Sequence, residues 1–143
     1  MLISTKGRYA LRVMIDLAEH QSDHYLPLKE VAERQEISEK YLESIIKLLV
    51  QAGLLEGVRG KGGGYRLTRP PEQYRVGDIL RLTEGTLSPV SCLEQSPMQC
   101  ARASSCRTLP MWDKLYTMLN DFFDGITIAD LMNSAQGGND YVI

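Results

Sequence analysis

All three cysteines of the chain fall in one polar stretch, SCLEQSPMQCARASSCR, which spans residues 91–107. Cys92, Cys100 and Cys106 are separated by seven and then five residues. Thiolates ligate zinc and iron-sulfur clusters, and they are also the groups that redox sensors oxidise. Because three thiols cannot all pair within one chain, the odd number disfavours a set of structural disulfides. The stretch therefore predicts either metal ligation or thiol redox chemistry, and its spacing alone does not choose between them.

The composition is typical of one folded domain with an appendage. Of the 143 residues, 43% are hydrophobic and 24% are charged. The apolar runs are far shorter than the roughly 20 residues of a membrane span, and the N-terminal residues MLISTKGRYALR lack the features of a signal peptide. We therefore expect a cytoplasmic protein with no membrane contact. In that compartment clustered thiols usually stay reduced.

Charge is distributed unevenly along the chain. Residues 1–70 hold 11 Lys or Arg against 9 Asp or Glu, a net charge of +2, whereas residues 71–143 hold 5 against 9, a net charge of −4. Residues 59–69 contain four cations, Arg59, Lys61, Arg66 and Arg69, and no acid. The N-terminal half is therefore the better candidate for contact with a polyanion.

The periodicity of the N-terminal half predicts a helix-turn-helix. Apolar residues recur at helical spacing between Tyr9 and Ala18, and Ser4 or Thr5 can cap that helix. A short apolar stripe at 28–32 and a longer one at 41–50 follow, with Ser38 as N-cap of the second and Gly53 as its C-terminal stop. The pattern alone also describes an ordinary pair of antiparallel helices.

A glycine-rich hairpin follows these helices. Residues 54–59 and 64–68 predict two short strands, and the tip between them, RGKGGG, combines tight turning with positive charge. The alternative interpretation is a flexible hairpin that binds nothing. A nucleotide-binding loop is disfavoured, because the P-loop spacing is absent and no helix follows directly.

The C-terminal half predicts three helices around the cysteines. The first begins at Val76 and stops at Gly85, and the last is opened by Thr127 and Asp130, which have capping-box spacing, and runs to about 135. Between them, large apolar residues recur at helical spacing from 111 to 123: Met111, Trp112, Leu115, Met118, Leu119, Phe122 and Phe123. Periodicity alone favours packing of this long helix on its own domain, with a second copy of the chain as the alternative.

Five motifs together resemble the IscR-type family, the iron-sulfur cluster regulators of bacteria. They are STKGRYALR, ISEKYLESI, AGLLEGVRGKGGGYRL, VGDILRLTEG, and three cysteines before a long helix. The resemblance implies a mostly α fold, with a winged helix-turn-helix domain and a long C-terminal dimerisation helix. Similar proteins are homodimeric repressors or activators, so Trp112, Leu115, Leu119 and Phe122 become expected dimer contacts. The expected division is 1–71 for DNA binding, 72–90 for a connecting helix and loop, 91–107 for the cluster loop, 108–136 for the dimerisation and terminal helices, and 137–143 for a tail.

The same resemblance implies a double-stranded DNA partner and a set of reading residues. The family's base-reading positions correspond here to Ser38, Lys40, Tyr41, Glu43 and Ser44, and its wing arginine corresponds to Arg59. The position of the second helix in the major groove adds Lys47. A carboxylate at position 43 repels phosphate but accepts from a cytosine amino group, although a charged helix residue is more often simply solvated. Lys6, Arg8, Lys61 and Arg66 are expected to contact phosphates.

The cysteines match the family's cluster-binding triad, so the resemblance implies a 2Fe-2S cluster on Cys92, Cys100 and Cys106. Well-known members add a histidine three residues after the third cysteine, where this chain has Leu109, and other relatives use an N-terminal aspartate, where this chain has Arg8. The fourth ligand is unassigned, with Glu94, Asp113 and a partner-chain residue as candidates. The alternative is a metal-free thiol-redox or cysteine-status repressor. An enzyme is disfavoured, because Cys-x-x-Cys, His-Glu-x-x-His and nucleophile-elbow motifs are absent.

Overall fold

The computed structural model describes residues 2–94 and 101–134. Within them the chain is mostly helical, and its two strands form one antiparallel hairpin. The elements in order are α1 (Thr5–Glu19), α2 (Leu28–Gln35), α3 (Glu39–Gln51), β1 (Leu55–Val58), β2 (Gly64–Leu67), a 3-10 turn (Pro71–Gln73), α4 (Val76–Glu84), a second 3-10 turn (Ser91–Leu93), α5 (Leu109–Asp124) and α6 (Ile128–Ser134). The predicted tail at 137–143 lies outside the described residues.

The helix ends of the N-terminal half are set by the predicted caps. Ser4 accepts a hydrogen bond from the Gly7 amide at the start of α1, and Ser38 accepts one from the Tyr41 amide at 3.2 Å at the start of α3. Gly53 takes a φ of +77° directly after α3. Each cap satisfies a backbone group that the helix end leaves without a partner. The helix-turn-helix predicted from the sequence is therefore confirmed as a fold element.

The wing is a short hairpin that is attached to the rest of the domain. Leu55 pairs with Leu67 and Val58 with Gly64, so β1 and β2 cover most of the two predicted strands. Leu26, from the linker between α1 and α2, exchanges two backbone hydrogen bonds with Tyr65, at 2.8 and 2.9 Å. A side chain at Gly64 would lie 2.2 Å from the Leu26 carbonyl oxygen, so this approach requires glycine.

The main core is built around α1. Ala10, Val13, Met14 and Leu17 are fully buried there, and they pack with the buried faces of α2 and α3. The terminal helix α6 also joins this core through Ile128. Its predicted capping box is present: the Thr127 amide donates to the Asp130 carboxylate, and the Asp130 amide donates to the Thr127 hydroxyl. The sequence did not predict that α6 returns to α1, and the proposed division of the chain into segments stays a prediction.

A second, smaller core lies between α4 and α5. It contains Val76, Leu80 and Leu87, with Tyr116 and Phe123 of α5 partly buried against them. No residue of α5 is fully buried, so residues 2–94 and 101–134 do not cover the apolar surface of the helix. Packing within its own domain, which the periodicity favoured, accounts for only one side of α5. In the described ranges 2–94 and 101–134, no helix is both long and apolar enough to cross a membrane.

Candidate nucleic-acid interface and cysteine segment

The exposed face of α3 holds most of the predicted reading residues. Its other face is buried through Leu42, Ile45, Ile46 and Leu49, which fixes the rotation of the helix. Lys40, Glu43, Ser44 and Lys47 consequently point away from the core. The Ser38 hydroxyl oxygen accepts the capping hydrogen bond from the Tyr41 amide, and the Ser44 hydroxyl donates to the Tyr41 carbonyl at 2.6 Å. Both hydroxyls therefore already make a hydrogen bond within the protein.

The start of α3 faces α1 across a notch, by which we mean the open cleft of about 390 Å³ lined by Thr5, Tyr9, Glu36, Ile37, Ser38 and Tyr41. The rings of Tyr9 and Tyr41 meet edge to face across it, with centroids 5.9 Å apart. Such aromatic contacts add to the packing energy and have a preferred geometry. The orientation of Tyr41, a predicted reading residue, is thus tied to α1.

A groove between α3 and the wing brings two residues of α3 together with one residue of the wing. Glu43 and Lys47 of α3 and Arg59 of the wing line one open cleft of about 380 Å³. Among the described residues none of the three forms an ion pair. Two cations and one acid therefore face the same space with their charges available to a ligand.

The wing cations differ in their surroundings. Arg59 and Lys61 are exposed near the tip, where Gly60 and Gly62 have positive φ. Arg66 instead pairs with Glu56, its cross-strand neighbour, with Nε 2.5 Å from Oε1, and its guanidinium lies over the Tyr25 ring at 4.3 Å. The hydrogen bond to Glu56 raises the pKa of Arg66 above its ordinary value. A phosphate contact by Arg66 would have to compete with this pair.

Two cations of α1, Arg8 and Arg12, contact residues that line the notch. Arg8 is exposed and donates to the Thr5 hydroxyl at 3.2 Å, and Lys6 is partly buried. Arg12, which the sequence reasoning missed, lies 4.8 Å from the centre of the Tyr9 ring and donates to the side chain and backbone carbonyl of Gln35. Arg12 thereby satisfies the C-terminal end of α2. The sequence signal for Arg12 was its position four residues after Arg8, which places the two cations next to each other on the surface of the helix.

A buried carboxylate fixes α2 on α1. Asp16 is 2% exposed. Its carboxylate accepts hydrogen bonds from two nitrogens of Arg34, at 2.8 and 3.0 Å, and from the side-chain amide nitrogen of Gln35, at 2.8 Å. The hydrogen bond to Asp16 raises the pKa of Arg34. Arg34 itself is solvent-accessible, but its removal would leave the buried Asp16 carboxylate with fewer partners, which is destabilising. An acid inside the apolar stripe of α1 was the sequence signal for this contact.

The base of the wing is held by the hydroxyl of Tyr74. This group donates to the Leu54 carbonyl at 2.8 Å and accepts from the backbone amides of Thr68 and Arg69 at 2.9 and 3.2 Å. Leu54 follows α3, whereas Thr68 and Arg69 follow β2. One buried side chain therefore sets the position of the wing relative to α3.

The cysteine segment connects α4 to α5. Cys92 lies partly buried in the second 3-10 turn, and Cys106 lies partly buried just before α5, with Sγ 3.4 Å from the Thr108 hydroxyl. That hydroxyl, together with the backbone amides of Thr108 and Leu109, lowers the pKa of Cys106. Its thiolate is thus favoured, which suits both metal ligation and redox reactivity. Cys100 lies outside the described residues.

The other groups proposed for the cluster are only partly defined. Leu109 opens α5 as a partly buried side chain with no donor atom, whereas Glu94 and Asp113 are exposed. Cys92 and Cys106 are free thiols. In the part of the chain that the structure describes, no three His, Cys, Asp or Glu side chains come together, and the complete triad falls outside that test because it includes Cys100.

Comparison with known proteins assigns this arrangement to a family. The Rrf2 model, described as an iron-dependent transcriptional regulator, matches residues 3–134. The HTH-type transcriptional regulator IscR of Aliivibrio salmonicida is 36% identical over 132 residues, which are 92% of this chain and 77% of that protein. The structure of T. potens IscR has a TM-score of 0.75 at 36% identity and covers 100% of this chain and 94% of its own. The structure of CymR (YrzC), the global cysteine regulator of B. subtilis, has a TM-score of 0.76 at 36% identity. The match covers 93% of this chain and 97% of the CymR chain.

These likenesses confirm the mostly helical, winged-helix fold class that the sequence motifs indicated. The relatives are transcriptional regulators and not enzymes, in agreement with the sequence prediction. The chain therefore belongs to the Rrf2 family of transcriptional regulators and is similar to its IscR-type members.

Proposed function

We propose that this transcriptional regulator binds specific double-stranded DNA sites as a homodimer, and that a 2Fe-2S cluster on Cys92, Cys100 and Cys106 sets its DNA preference. The observation that carries the DNA-binding part is the groove that joins Glu43 and Lys47 of α3 to Arg59 of the wing. A recognition helix and a wing that present charge to one space match the way in which winged helices engage a groove and its backbone.

The two kinds of charge have different roles in this proposal. Arg59, Lys61 and Lys47, together with Lys6 and Arg8 on α1, attract and position the phosphate backbone, which supplies affinity without sequence preference. Glu43 supplies selectivity, because it accepts from a base amino group and repels phosphate where no such group is present. Ser38, Lys40, Tyr41 and Ser44 complete the reading surface along an open cleft at the start of α3.

The homodimer is supported by the uncovered side of α5. Met111, Leu115, Met118 and Phe122 are 53%, 36%, 58% and 62% exposed, and they recur at intervals of four, three and four residues. This is the spacing with which one helix packs against another in a coiled coil. Trp112 and Leu119 are partly buried at the edge of the same surface. A second copy of α5 covers this stripe in our proposal.

The described cysteine residues fit a metal site by their chemistry. Cys106 has a hydrogen-bond environment that favours its thiolate, the form that ligates iron. Cys92 and Cys106 lie at the two ends of the segment and Cys100 lies between them in sequence. A bound 2Fe-2S cluster would link these thiolates through a redox-active group. Its fourth ligand would be a carboxylate oxygen of Glu94 or Asp113, or a residue of the partner chain.

A metal-free regulator is the second candidate. The likeness to the global cysteine regulator CymR is as close as that to T. potens IscR, at 36% identity in both cases. A partly buried thiol with a lowered pKa, such as Cys106, is also the type of group that oxidants modify. In this version oxidation of Cys106, and not loss of iron, changes DNA binding.

Anaerobic purification followed by a visible absorption spectrum and by iron and sulfide analysis separates the two candidates. A cluster-binding protein should hold about two iron and two sulfide per protomer and absorb in the visible range. Replacement of Cys106 by serine should then lower the iron content sharply, whereas replacement of the exposed Ser104 by alanine should not. A colourless wild-type protein without iron contradicts the cluster proposal and favours the metal-free candidate.

A further inference from the structure

The N-terminus of α1 receives its acidic partner from the neighbouring helix α4. No acid lies in the first turn of α1. Glu84, the last residue of α4, takes that place: the Ser4 amide donates to Oε1 at 2.5 Å, and the Ser4 hydroxyl donates to Oε2 at 2.8 Å. A carboxylate at a helix N-terminus is favoured by the orphan amides and by the helix dipole.

The contact is also built into the packing around it. Ser4 relays it into the helix, because its oxygen accepts from the Gly7 amide at 3.1 Å while its proton is given to Glu84. A side chain at Gly7 would lie 2.7 Å from Glu84 Oε1, so it would displace the carboxylate from its present position. Glu84 thus fixes the first turn of α1 in position and orientation.

That first turn forms one wall of the notch at the start of α3. Thr5 of the first turn and Tyr9 of the second turn line the notch on the α1 side, and Ser38 and Tyr41 line the opposite wall. The edge-to-face contact between Tyr9 and Tyr41 is the direct link between the two walls. A displacement of α1 along its axis therefore alters the setting of Tyr41, although Glu84 itself does not line the notch.

From this geometry we infer that Glu84 is a positioning residue for DNA reading. It couples the end of α4, where the chain enters the segment that carries the cysteines, to the recognition surface at Tyr41. The inference rests on the proposed function, since it assigns a means of control to the same DNA-binding face. It gives the cysteine segment a route to DNA preference within one protomer, in addition to any change at the dimer helix.

The test compares Glu84→Ala and Glu84→Gln with Glu19→Ala, which removes an exposed acid at the other end of α1. Amide hydrogen exchange reports on the first turns of α1, and binding to a panel of double-stranded DNA sites reports the ratio of strongest to weakest affinity. Glu84→Ala should speed amide exchange in the first turn of α1 by roughly 2- to 30-fold, as expected for loss of a helix cap. It should also lower the ratio of the strongest to the weakest DNA affinity. Glu84→Gln should have an intermediate effect, because it keeps one acceptor oxygen and loses the charge, and Glu19→Ala should change neither readout.

The outcomes separate this inference from the proposed function. Unchanged exchange in Glu84→Ala means that the contact does not hold α1, and faster exchange with an unchanged affinity ratio means that it does not influence reading; either result overturns the inference. If Glu84→Ala does not fold, as judged by circular dichroism, the same two criteria apply to Glu84→Gln. A wild-type protein that binds all sites equally overturns the proposed function before any variant is compared.

Discussion

Replacement of Tyr74 by phenylalanine tests whether one hydroxyl holds the wing to the recognition helix. The side chain is 2% exposed, and phenylalanine keeps its ring and nearly all its volume. The change removes a donor to the Leu54 carbonyl at 2.8 Å and an acceptor for the amides of Thr68 and Arg69 at 2.9 and 3.2 Å. It creates no large cavity, so its effect isolates the hydrogen bonds.

The magnitude follows from the burial of these groups. A hydrogen bond contributes about 1 kcal/mol net, and a buried group left without a partner costs about 1–3 kcal/mol. The Thr68 hydroxyl, 3.4 Å from the Leu54 oxygen, can compensate for part of the loss at that carbonyl. We therefore expect Tyr74→Phe to lower the free energy of unfolding by about 2–4 kcal/mol, which is a large fraction of the stability of a typical domain.

Urea denaturation at a fixed protomer concentration measures this difference, since the stability of a dimer depends on concentration. Tyr65→Phe is the matched control, because Tyr65 is only partly buried and its hydroxyl makes no hydrogen bond among the described residues. DNA affinity should fall in Tyr74→Phe, since Arg59 is carried on the wing. A loss of stability below about 1 kcal/mol, or one equal to that of the control, would refute the assigned role of the hydroxyl.

Three further predictions concern the dimer, the DNA and the thiol. Leu115→Asp should yield monomers in sedimentation, because burying its charge against a partner helix costs several kcal/mol, while Thr117→Asp on another face of α5 should remain dimeric. Glu43→Ala should broaden sequence preference, whereas Lys61→Ala should weaken all sites alike and lower the slope of log affinity against log salt by about 0.9 per protomer; uniform scaling by Glu43→Ala would exclude its reading role. In protein whose other two cysteines are alanine, alkylation of Cys106 should rise with pH around a midpoint below the ordinary thiol value of about 8.5, because its lowered pKa makes thiolate available at lower pH.

The features predicted well from the sequence are those that short segments determine. Ser38, Gly53 and the pair Thr127 and Asp130 act on backbone groups within a few residues, so their types and spacing specify the helix ends directly. The predicted strands extend one residue too far at both ends of the first and at the end of the second. At one of those end residues, Leu54, the backbone carbonyl accepts a hydrogen bond from the Tyr74 hydroxyl and does not pair with β2.

The contacts that the sequence did not predict join residues far apart in the chain. Glu84 and Ser4 are 80 positions apart, and Arg34 and Asp16 are 18 apart on different helices. Asp16 stands out in the sequence as an acid within an apolar stripe, but Arg34 and Glu84 are typical of a solvated helix surface until the packing of the helices is known. The long helix α5 shows the same limit, since periodicity identifies its apolar residues but not the surface that covers them.

In the proposed cluster-dependent dimer, the anchoring of α4 provides a route by which the cysteine segment would influence distant surfaces. Arg81 of α4 donates to Asp124 at 2.8 Å and to Asn120 at 2.9 Å, and this contact lowers the pKa of Asp124. The C-terminal end of α5 is therefore fixed on α4, and residues 85–108, which include the cysteine segment at 91–107, connect the end of α4 to the N-terminal end of α5. A change in the span of that segment then acts on the N-terminal end of α5 about a fixed point near Asp124. Because the exposed stripe of α5 runs the length of the helix, even a small rotation about that point would change the angle at which two copies meet.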